Sequence, residues 1–95
     1  MLRVDIYNRT QNTPELLEVF VWKNGRLTSD RFKCILNAMF YIVADSIDYK
    51  ELKAEIKMNE KEIMAIDCKT ESDGSNITSI FSKDGETIRA MTVAA

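Results

Sequence analysis

Three carboxylates, Asp45, Asp48 and Glu51, stand three residues apart, the spacing that gathers side chains on one face of a helix. Oxygen donors of this kind are what a divalent cation wants. The three read as a solvated helix end, although acids at a helix C-terminus are unfavourable for the macrodipole. The segment Glu71-Ser72-Asp73-Gly74-Ser75-Asn76 has the acidic look of a calcium loop, but Gly74 comes too early and Ser82 stands where the closing Glu belongs. Cys34 and Cys68 belong to no spaced pair and fall at apolar-phase positions, so both are expected to be buried free thiols. The chain has no histidine, which removes the commonest general base, the Ser-His and Cys-His nucleophile pairs and the usual transition-metal ligand. Two isolated cysteines cannot complete a zinc site, and Gly25, Gly74 and Gly85 stand too far apart to form a phosphate loop. No catalytic residue, metal ligand or cofactor site is expected, and the chain reads as a non-enzyme. What remains is the chemistry of contact.

Two groups of side chains suit contact. Cys34, Ala38, Tyr41 and Ile42 form an apolar stripe on a helix beside the stripe that must face the core. One helix on one sheet needs a single apolar face, so the extra stripe is either a partner surface or is covered by loops and a curled sheet edge. Tyr7, Phe20 and Trp22 sit on the first two strands with Arg3, Arg9 and Lys23 nearby, and aromatics flanked by cations can stack single-stranded bases. Alternatively, Phe20 and Trp22 belong to the core or to the same partner interface.

The elements that carry these residues follow from periodicity. Leu2, Val4 and Ile6 alternate with polar neighbours, which predicts a half-buried strand. A polar connection, Asn8 to Pro14, leads to a second strand over Leu16–Trp22, rich in β-formers. Leu17, Val19 and Val21 would take one face, with Leu16, Glu18, Phe20 and Trp22 on the other. Both faces are largely apolar, so this strand is central or its second face meets something. Asn24-Gly25 predicts a turn, and Thr28 or Ser29 caps a helix over 29–47. Its core stripe is Phe32, Ile35, Leu36, Met39, Phe40, Val43 and Ile47. For 49–58 a helical stripe competes with the alternation of Leu52, Ala54, Ile56 and Met58, and the strand reading is preferred. Met64, Ile66 and Cys68 mark its partner after a turn at Asn59-Glu60. A loop over 71–76 and a hairpin joining 77–82 to 87–93 through Asp84-Gly85 complete the order β-β-α-β-β-β-β, with Ala94 and Ala95 as a frayed tail. The expectation is an α+β fold: one domain over 1–95, an antiparallel sheet packed on one face by a single long helix.

Composition limits the partners. A net charge of −2 lacks the basic stripe that duplex DNA requires. The N-terminus alternates rather than opening an apolar run, and the longest apolar stretch, Cys34 to Ala44, is too short to span a bilayer. A cytoplasmic protein is expected, with no membrane partner. The function expected is that of a binding module, a regulator or inhibitor occupying a surface of another protein through Phe20, Trp22, Cys34, Ala38, Tyr41 and Ile42. Accessory proteins of phages and mobile elements that inhibit host nucleases or defence complexes are often of this size, and a homodimer would use the same surfaces. The alternatives are single-stranded nucleic-acid binding on the Tyr7, Phe20 and Trp22 face, and a small enzyme using Asp or Glu as its base at a subunit cleft.

Overall fold

Leu2, Val4 and Ile6 lose all contact with water in the first strand, β1 (Leu2–Asn8). The computed structural model describes residues 1–45, 48–84 and 86–93. After β1 come β2 (Glu15–Trp22), the helix α1 (Ser29–Asp45), β3 (Glu51–Met58), β4 (Lys61–Thr70), β5 (Asn76–Ser82) and β6 (Thr87–Val93). The strands form one six-stranded sheet in the order β2-β1-β3-β4-β5-β6, every neighbouring pair antiparallel. The architecture is α+β in the expected order, and 51–58 is a strand. Ile47 of the expected core stripe, Gly85 of the hairpin turn and the tail Ala94-Ala95 lie outside the described residues.

Sheet register sorts the side chains. Val4 lies opposite Ile56 on one side and Phe20 on the other, and Ile66 lies between Ala54 and Ile80. These residues share the face under α1, where Ile35 and Met39, one turn apart, are also buried. Leu52, Ala54, Ile56, Ile66 and Cys68 complete the centre of the core. Thr78, buried opposite Cys68, directs its hydroxyl to the Cys68 Sγ at 3.8 Å. Burial, more than any charge, pushes the Cys68 thiol up.

Thr28 caps the helix: its Oγ1 accepts from the Arg31 N–H and its carbonyl from the Phe32 N–H. At the β3–β4 turn, Asn59 and Glu60 both hold positive φ, as a two-residue turn between right-twisted strands requires. At the far end of the sheet, Gly74 (φ 86°) closes the β4–β5 turn by donating its N–H to the Glu71 carbonyl.

Two expectations are corrected. Cys34 is exposed, because its position points away from the sheet while Ile35 takes the core. Of the two readings of the strand over Leu16–Trp22, the central position fails: β2 lies at the sheet edge, next to β1 alone.

Candidate functional site

The β2 strand does not alternate cleanly. Ile6 lies opposite Glu18, but Tyr7 lies opposite Leu16, so Leu17 is the extra residue of a β-bulge. The bulge reverses the facing of everything before it. Leu17 turns towards the core, and Leu16 joins Val19 and Val21 on the open face, away from α1. Strict alternation assigned Leu16 and Leu17 the other way round, because a bulge has no sequence marker here. The three open-face side chains are 49%, 36% and 48% exposed, well above what a covered strand would show. Met1 and Tyr41 are the other large hydrophobics exposed among residues 1–45 and 48–84. No strand lies beyond β2 among those residues, so the outward backbone groups of its edge are unpaired.

Phe20 and Trp22 take the other face. They lie half-buried against the core with their rings stacked, centroids 5.5 Å apart and planes within 4°. The Arg31 guanidinium sits 5.2 Å from the Trp22 ring centroid and donates to the carbonyls of Asn24 and Arg26. A side chain at Gly25 would run into that guanidinium. Tyr7 faces the opposite side of the sheet, so Tyr7, Phe20 and Trp22 do not form the platform that base stacking would need. The pleat separates them: Tyr7 is an odd-numbered residue of β1, and its odd-numbered neighbours Arg3 and Asp5 share its face.

The helix residues divide in the same way. Ala38 and Ile42 are half-buried and packed against the core, whereas Cys34 and Tyr41 face solvent, Tyr41 at 71%. Six strands span about 24 Å, far wider than one helix, so the sheet extends past the flanks of α1, on which Ala38 and Ile42 lie.

Much of the rest of the open face is charged. Lys53 lies opposite Asp67, Glu51 opposite Lys69 and Lys57 opposite Glu62. Asp5 is 3% exposed on this face, its Oδ1 accepting from the Arg3 Nε at 2.9 Å and its Oδ2 lying 3.8 Å from the Lys57 Nζ. A shallow cavity of about 300 Å³ is bordered by Arg9, Glu51, Lys53, Asp67 and Phe81. Burial raises the Asp67 carboxyl above its ordinary value, and the charge of Glu51 with a hydrogen bond between the two carboxyls raises it further. Arg9 and Lys69 pull the other way. The carboxylates first singled out do not converge: α1 ends at Asp45, Asp48 lies in the following turn, and Glu51 opens β3. Glu51 reaches Asp67 diagonally across the β3–β4 ladder, a neighbour set by the strand register and marked by no spacing in the sequence.

No helix among the described residues is long and apolar enough to cross a membrane. No protein-family model matches the chain, and no curated protein or solved structure matches it.

Proposed function

We propose that this protein is a non-enzymatic binding module that regulates by contact, presenting the edge and open face of β2 to another polypeptide chain. The carrying observation is the run Leu16, Val19 and Val21, exposed on an eight-residue strand whose outer backbone groups are unpaired. Such a strand supplies both ingredients of strand addition: backbone hydrogen bonds for affinity and alternate side chains for selectivity. Water is a poor neighbour for three adjacent aliphatic side chains, and covering them adds a hydrophobic contribution to the backbone bonds. Phe20 and Trp22 support the surface from behind, and the bare helix side with Tyr41 is secondary to it. The two separated thiols, Cys34 and Cys68, support the reading of a reducing, cytoplasmic setting.

The double variant V19D/V21D tests this. Both side chains are exposed, so circular dichroism should show a folded protein. Its associations, with itself by sedimentation or with any protein held by immobilised wild type, should weaken about a hundredfold, the effect of placing charges in an apolar contact. A folded variant that keeps every wild-type association would sink the reading.

A further inference from the structure

The occupant of the β2 edge can be named from the strand itself. Natural edge strands are protected by prolines, inward-facing lysines or bulges, and β2 has its bulge at Leu17 and its acids at Glu15 and Glu18. The stretch Val19–Trp22 carries none of these. Edge pairing must therefore centre on that stretch, and antiparallel pairing with an identical strand leaves few registers in which opposite residues share a face.

A two-fold axis at Phe20 satisfies the charges with every opposed residue from Glu18 to Trp22 inside β2, whereas an axis at Val21 would set Glu18 and Val19 against the partner's Asn24 and the partner's Lys23, beyond its end. The Phe20 axis sets Phe20 against the partner's Phe20, Val19 against the partner's Val21, and Glu18 against the partner's Trp22. Trp22 carries the Arg31 guanidinium on its ring. Each Glu18, which has no ion pair among the described residues, is thereby brought to the Arg31 of the other copy, and this happens twice by symmetry. The same register joins the stacked Phe20–Trp22 pairs into a row of four rings and gathers the four valines on the open face. An axis at Val19 would instead set Glu18 against the partner's Phe20, which carries no cation. We infer that the chain that fills the β2 edge is a second copy of this protein, paired antiparallel about Phe20 and held by reciprocal Glu18–Arg31 contacts. The inference rests on the proposed role of β2 and adds its partner.

Charge exchange tests it. Wild-type protein should sediment as a monomer–dimer equilibrium in a concentration series reaching the high micromolar range. Glu18→Arg, at an exposed position, sets Arg against Arg31 of the other copy and should weaken the dimer at least about tenfold. Arg31→Glu should do the same by setting Glu against Glu18. An equimolar mixture of the two restores opposite charges at both contacts, and should form a mixed dimer in native mass spectra where neither variant dimerises. If R31E fails to fold, self-association of E18R decides alone. A wild type that stays monomeric throughout overturns the inference, and so does a dimer that E18R leaves intact. Neither result touches the proposed role of β2 if V19D/V21D still abolishes binding to a different protein.

Discussion

Asp67 shows what a single register contact does to a side chain. On β4 it is an ordinary solvent-side residue of an alternating strand, yet β3 delivers Glu51 next to it and the flanking side chains remove part of its water. Its carboxyl is raised above the usual 3.8, with burial the first cause and Glu51 the second. The folded state therefore holds this proton more tightly than the unfolded chain. Where an acid's folded pKa is raised, stability falls as pH climbs from the unfolded value through the folded one, and the ionised group remains a cost above both. Asp67→Asn keeps a hydrogen bond to Glu51 and removes the charge. Its melting temperature should exceed that of the wild type at pH 7, and the gain should shrink as the pH is lowered towards 3.8. A gain that stays constant with pH would show that the packing of Asp67, rather than its ionisation, is responsible. Asp5, buried on the same face, has the Arg3 and Lys57 side chains beside it.

The helix shows the same division among neighbouring residues of one element. Met39 is 1% exposed and Tyr41 71%, two positions apart on α1. Met39→Ala should cost about 3 kcal/mol in urea unfolding, because the cavity sits beneath the helix where the sheet cannot collapse into it. Tyr41→Ala should stay within about 0.5 kcal/mol, as exposed substitutions do. Equal losses would mean that Tyr41 packs against the body of the protein. The core face of this helix was legible in its sequence because Phe32, Ile35, Leu36, Met39, Phe40 and Val43 recur at helical spacing. The strands at 2–8 and 51–58 were legible from their period of two. Cys34 was misplaced because it is apolar by type, and periodicity says nothing about how far a sheet curls. For β2 the reading stopped at two apolar faces: the bulge at Leu17 and the position at the edge are properties of pairing, and pairing partners leave no local trace. Phe20 and Trp22 stack on each other and the Arg31 guanidinium lies over Trp22, contacts within the chain that no spacing in the sequence marks.

At the scale of the molecule, the sheet consists of two pieces with different origins. The β1–β2 hairpin comes before α1 and the β3–β6 meander after it, and they meet along β1–β3, where Leu2, Val4 and Ile6 oppose Met58, Ile56 and Ala54. That seam is fastened at both ends. The N-terminal ammonium donates to Asn59 Oδ1 and the Asn59 N–H to the Met1 carbonyl; at the other end Thr10 Oγ1 accepts from the N–H groups of Lys50 and Glu51. A lone two-stranded hairpin is marginal in water, and a meander without β1 would expose Ile56 and Ala54. Neither half can keep its core alone, so the chain should unfold as one unit. Trp22, the single tryptophan, lies in the hairpin, whereas far-ultraviolet circular dichroism reports chiefly on the whole sheet and helix. Urea unfolding of dilute protein, followed by Trp22 fluorescence and by circular dichroism, should give coincident midpoints and slopes. Ile56→Ala, which opens a cavity at the seam, should move both curves together to lower urea, by about 3 kcal/mol. If the fluorescence curve runs ahead of the other, in wild type or in I56A, the hairpin is leaving first and the seam does not bind the two pieces into a single cooperative structure.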